Sequence, residues 1–142
     1  MPIVGNPAAI NNLPASFQGV FCDYIAGGTI LAGAPVIFTA TGTVTTTTTA
    51  NSALVAGVAT ENAVSGEAVN VCTHGVGPVT VLAAAITSGQ LIATSGTAGS
   101  GTIAGALAGL GHVGIVGTAI VANGSAAGTY LAHINPAGFR GV

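Results

Sequence analysis

Charge is almost missing from this sequence. Lysine is absent, Arg140 is the one strongly basic residue, and Asp23, Glu61 and Glu67 are the only carboxylate side chains among 142 residues, for a formal net charge of −2. An ordinary soluble domain devotes about a quarter of its positions to such residues. General acid–base catalysis, hard-cation binding and phosphate recognition all draw on ionisable groups, and four scattered ones do not build a constellation. The chain is therefore expected to be structural rather than enzymatic. It should have no catalytic residues, no cofactor, no metal, no small-molecule substrate and no nucleic-acid partner.

Aromatic residues are scarce too. With no Trp, two Tyr and four Phe, there is little from which to build the ring platforms of a carbohydrate- or host-binding module. Cysteine appears twice, as Cys22 and Cys72. Residues 1–6 carry neither a basic nor an apolar leader pattern, so synthesis and assembly are expected in the cytoplasm, with both thiols free. Asn123-Gly124-Ser125 matches a glycosylation acceptor, but in that setting Asn-Gly reads as a tight hairpin turn.

What fills the chain is apolar and small. Half of it is hydrophobic and 23 residues are Gly, with Thr, Ser and Asn standing where charged residues usually sit. A chain of this length makes one domain with a core large enough to need no disulfide. Its nearly neutral surface offers little repulsion between copies, which favours self-association or docking on a partner. Residues 103–122 lack charge and contain Gly105 and Gly109 at helix-packing spacing. Repeated glycine, His112 and the absence of flanking Lys or Arg argue against a membrane span.

Segments 35–39, 54–59, 67–73, 76–81, 114–121 and 129–134 are rich in Val, Ile and Thr and punctuated by Gly, the pattern of short strands. Within 67–74, Val69 and Val71 alternate with Asn70, Cys72 and His74, as in a half-buried strand. The Thr-rich stretch 41–49 is β-branched and polar and suits an exposed strand or loop, with a solvated surface ribbon the preferred reading. Residues 103–110 are the one candidate for a short helix. The expected fold class is all-β, a compact barrel or sandwich of short strands.

Laid over itself, the chain shows an approximate duplication. Ile30-Leu31-Ala32-Gly33, then Val36-Ile37 and Thr41-Gly42-Thr43, is echoed by Ile86-Thr87-Ser88-Gly89, then Leu91-Ile92 and Ser95-Gly96-Thr97. Gly57-Val58-Ala59 and Gly66-Glu67-Ala68-Val69 are echoed by Gly117-Thr118-Ala119 and Gly128-Thr129-Tyr130-Leu131. Two related β units closing on one another would account for these echoes.

Other arrangements point to no chemistry. His74, His112 and His133 are far apart and lack metal-ligand spacing. Gly96, Gly99 and Gly101 are followed by no Lys and read as a loop rather than a phosphate cradle. Glu61 and Glu67 flank Ser65-Gly66 and are expected on opposite sides of a turn, in a structural or solvated role.

At Gly57 to Ala59, at the Gly-Glu-x-Val-x-Val phrase of residues 66–71 followed by Gly75, at Gly89-Gln90-Leu91, and at the Gly-x-Val-Gly-x-Ala order of residues 114–119, the chain resembles the capsid cement or head decoration proteins of tailed bacteriophages. The order of these phrases carries the resemblance over about residues 25–135; family members usually hold more Lys, Glu and Asp. The resemblance implies a β-rich virion protein, trimeric, on the outside of an icosahedral head, bracing neighbouring major capsid protein subunits. Under it, residues 1–20, with Pro2, Pro7 and Pro14, become an extended N-terminal arm ahead of a single β domain at 21–142. Pro2, Ile3, Val4, Pro7, Ile10, Leu13, Pro14 and Phe17 are then the candidate contacts to capsid or to a neighbouring subunit. Two other readings stand beside it: another self-assembling virion component such as a fibre or surface protein, and a ligand-binding β module. The strict short repeat of a stacked solenoid is lacking.

Overall fold

A computed structural model describes residues 19–49, 52, 54–103 and 115–136. These form nine strands and no helix: β1 (Gly19–Ala26), β2 (Pro35–Ala40), β3 (Thr43–Thr45), β4 (Val55–Ala59), β5 (Ala68–Val81), β6 (Leu91–Thr94), β7 (Gly101–Ile103), β8 (Ile115–Ala119) and β9 (Gly128–Ile134). The fold is all-β. Their pairings close two five-stranded rings. The first runs β1, β3, β2, β4, β5 and back to β1; the second runs β5, β7, β6, β8, β9 and back to β5. β5, at 14 residues, is long enough to serve both. Its first half pairs with β1 over Ala68 to Gly75, and its second with β9 over Gly75 to Val81.

The rings are copies of one plan. In each, the first strand lies parallel to the third and antiparallel to the fifth, and the second pairs antiparallel with the third and fourth. Each second strand carries a register shift in the same place, between Val36 and Ile37 and between Ile92 and Ala93. The connecting turns repeat as well. Gly33 N donates to Ala59 O (2.7 Å) and Ala59 N to Ala34 O (2.9 Å); Gly89 N donates to Ala119 O and Ala119 N to Gln90 O, both 2.8 Å.

This pairing aligns Ile30 to Gly33 with Ile86 to Gly89, and Gly57 to Ala59 with Gly117 to Ala119, as the sequence echoes do. Elsewhere the echoes slip. Ala68 aligns with Thr129, because Ile25–Ala68 and Thr80–Thr129 are the matching cross-strand pairs. Residues 95–97, the echo of 41–43, fall in the connection before β7.

Burial follows the rings. Ile30, Val36, Val44, Ala59, Val69 and Val71 form the first cluster; Val79, Val81, Ile86, Ile92, Val116 and Ile134 belong to the second. Each such Val or Ile contributes about 1.5–3 kcal/mol by leaving water. Val58 and Cys72 are register partners on first-ring strands, yet they belong to the second cluster. They are the seam between the rings. Tyr24 faces Val69 in one ring, and Val79 faces Tyr130 in the other, so the same pair site holds one aromatic and one valine with the strands exchanged.

Several expectations change. Segments 67–73 and 76–81 are one continuous strand, β5, which runs through Gly75 and Pro78. Thr80 N turns away from β9 to donate to Gly33 O (2.8 Å), and the two-residue alternation of the strand puts the nitrogen of Pro78 on that side. No ladder bond is lost there, which is why a proline fits mid-strand. Cys72, assigned to the solvated face of that strand, is buried, because its face is covered by the second ring. The Thr-rich stretch is only partly a solvated ribbon: it contains β3, with Val44 in the core and Thr47 buried. Ile103 lies in β7, while 104–110 fall outside the described residues. Residues 115–119 of the apolar run are strand β8, and among the described residues no helix is long and apolar enough to cross a membrane. Gly19 and Val20, placed in the arm, belong to β1.

At Gly57 and Gly117 the facing strands come so close that a Cβ would run into the carbonyl oxygens of Cys72 and His133. Backbone on both sides leaves nothing flexible to give way. Gly57→Ala and Gly117→Ala should each destabilise the fold by about 2 kcal/mol or more, read from urea midpoints; unchanged midpoints would contradict the shared close approach.

Candidate functional site

Each described carboxylate is held in a local hydrogen bond. Asp23 Oδ1 accepts from Asn70 Nδ2 (2.9 Å), Glu61 Oε1 from Asn70 N (3.0 Å) and Glu67 Oε2 from Val64 N (3.0 Å). Thr60 Oγ1 donates within the same knot, 2.7 Å from Asn70 Oδ1. Glu61 and Glu67 thus sit in the connection from β4 to β5; Glu61 ties it to β5 at Asn70, and Glu67 ties it back on itself at Val64. Such charge-assisted bonds hold a turn. His74 on β5 and His133 on β9 are exposed, and among the described residues no group of three His, Cys, Asp or Glu could hold a metal ion. His112, Arg140 and the arm candidates Pro2, Ile3, Val4, Pro7, Ile10, Leu13, Pro14 and Phe17 lie outside the described residues.

Asn123 is the buried polar residue that sequence reading undervalued. It is 5% exposed. Its Oδ1 accepts from Ile86 N (3.0 Å) and Ser125 N (2.9 Å), its Nδ2 donates to Ala126 O (3.1 Å), and its own N donates to Ile86 O (3.1 Å). In the first ring Ile30 and Ala63 exchange plain backbone bonds at the matching place. The Asn-Gly-Ser sequence therefore does turn the chain between antiparallel neighbours β8 and β9, but across residues 120–127 rather than as a two-residue hairpin. Its signal was the Asx-turn chemistry of Asn before Gly.

Between the rings lies a cleft of about 440 Å³, walled by Thr29, Leu31 and Thr46 on one side and Thr80, Ser100 and Thr129 on the other. Among the described residues, no ionisable side chain lines it. The Thr80 and Thr129 hydroxyls bond one another at 2.9 Å, and with no base beside them neither is activated as a nucleophile. A hollow of about 160 Å³ beside Leu31 and Val64 has Glu67 as the one ionisable group among its described lining residues. Among the described residues, Val20, Ile25, Leu31, Leu54 and Val64 are the most exposed large apolar ones, each close to half exposed or more. Both cysteines are free, Cys22 half-buried and Cys72 buried. Burial, with Cys22 beside it, raises the phenol pKa of Tyr24, whose ring meets Phe38 edge-on at 5.3 Å.

No family model matches the sequence, and no curated protein matches it. Among solved structures, the N base of head fibre gp8.5 from bacteriophage phi29 shares the fold: TM-score 0.60, 14% identity, covering 82% of this chain and 94% of that one.

Burial pushes the Cys72 thiol up to about 11 from an ordinary 9.0. A raised value in the fold means that the neutral thiol is favoured there, so its contribution to stability is complete below pH 9.0 and is lost as pH climbs toward about 11. Urea midpoints followed from about pH 8 to about pH 11 should fall more steeply for the wild type than for Cys72→Ala. Parallel profiles would contradict the burial of this thiol.

Proposed function

We propose that this protein is a structural component of a phage virion, docked on the outside of the head as capsid cement. It binds the major capsid protein as a homotrimer and stabilises contacts between neighbouring shell subunits, with no enzymatic activity, no cofactor, and neither nucleic acid nor membrane as partner. The observation that carries this reading is the two-ring fold, shared with a phage head-fibre base over nearly all of that structure. The near-neutral composition supports it, since a chain with four formally charged side chains docks through apolar burial and backbone pairing. Residues 1–18, the part of the arm ahead of β1, are the segment we assign to contact with capsid or a neighbouring subunit, by adding a strand to an open sheet edge.

A second reading is favoured by the same likeness: the chain is the base of a head fibre. The two differ in what the shell gains. Cement occupies many equivalent sites and shares their load, whereas a fibre base needs only its own foothold.

Purified shells mixed with the protein separate the readings. Cement should bind at saturation in many copies per shell, raise the shell's disruption temperature by several degrees, and stay bound from about 0.1 to about 1 M sodium chloride, because there is little charge to screen. Binding without a rise in that temperature supports the fibre base. Absence of binding, or release of most of the protein at high salt, would contradict the docking reading.

A further inference from the structure

Beside the shared strand and the Val58–Cys72 seam, one further contact between the rings is made by a turn. Gly33, buried in the connection between β1 and β2 at φ +89°, accepts Thr80 N–H at 2.8 Å, and a Cβ on it would lie 2.6 Å from Thr80 Oγ1 and 3.2 Å from Thr129 Cγ2. The turn of the first ring is thus seated on the Thr80–Thr129 cross-strand pair of the second. Each half of this contact has a copy. Gly89, at φ +90°, makes the same turn in the second ring; Thr87, Ser88 and Gly89 are exposed, and no described residue comes within 4 Å of a Cβ built on it. Ile25–Ala68, the first-ring counterpart of Thr80–Thr129, is also bare, with Ile25 47% exposed.

We propose that the Gly89 turn of one copy docks on the Ile25–Ala68 pair of a second copy, repeating between molecules the contact made once within each. The proposal rests on the self-assembling reading above and names its interface. One difference between the rings fits it. Ile25 N–H is already used by Gly42 O at 2.8 Å, so a docked turn gains no backbone bond there, and this face carries Ile and Ala where the internal one carries two threonines. Apolar burial stands in for the hydrogen bond. Because the two halves are different surfaces of one chain, the interface is heterologous, and it closes into a ring when the rotation per copy divides a full turn.

Ile25→Arg spoils the receiving pair and Thr87→Arg the docking turn, both at exposed positions. Sedimentation velocity should find the wild type oligomeric and each variant monomeric, with self-association weakened about 100-fold. An equimolar mixture of the variants should then form dimers and nothing larger, because Ile25→Arg keeps a sound turn and Thr87→Arg a sound receiving pair. Variants that keep the wild-type assembly would overturn the proposal, as would a mixture that stays monomeric, the result an isologous interface gives. Should Ile25→Arg unfold by circular dichroism, Ile25→Thr, which installs the residue found at the matching place in the second ring, should weaken assembly about tenfold; no weakening would overturn the proposal. A wild type that is itself monomeric sinks both this interface and the homotrimer, while shell binding, measured separately, tests docking on its own.

Discussion

Everything in this molecule closes through β5. A strand in an open sheet leaves an edge of unpaired amides and carbonyls, and a small five-stranded ring removes its edges only if its last strand returns to its first. Here the returning strand of one ring continues as the opening strand of the next, with Gly75 the residue at which β1 and β9 both meet it. The duplication is therefore not two beads on a string. Each ring supplies part of the other's wall, and Val58 and Cys72 complete the second cluster from first-ring strands.

Sharing a wall forces the copies to diverge where they touch. The β1–β3 seam of the first ring has two paired positions, whereas the β5–β7 seam of the second has one, because Gly33 O takes the Thr80 N–H. Val44 on the first seam is matched by Gly101 on the second, where a Cβ would lie 2.7 Å from Ile92 Cγ2. Ala63 is matched by Asn123, whose side chain replaces a backbone carbonyl. What is unchanged is the geometry: the register shift, the glycine facing it and the turn that returns the chain.

How much of this was legible follows from which forces act locally. Val69, Val71, Val79 and the 54–59 segment announced strands by composition and alternation, and the exact spacing of Ile30 to Gly33 and Ile86 to Gly89 announced the repeat. β3, β6 and β7 did not stand out, because segments of three or four residues become strand only when a partner is supplied from far along the chain; β1, eight residues long, holds Asp23 and Cys22 among its apolar residues and has no run of Val, Ile and Thr to announce it. Cys72 was misjudged for the same reason: alternation says which residues share a face, not that a second ring will cover that face. Glu61 and Glu67, read as structural or solvated, each accept a backbone N–H about the turn they flank, whereas Asn123 was visible only as a turn signal.

Two rings that share one strand should behave as a single cooperative unit. Native-state hydrogen exchange tests it most directly. If the wall is shared, the core amides of β4, β5, β6 and β8 should exchange with one common opening free energy, equal to that of global unfolding. Exchange of Ile92 to Thr94 and Ile115 to Ala119 through a smaller opening that leaves the first ring protected would show two independent barrels, and would contradict it.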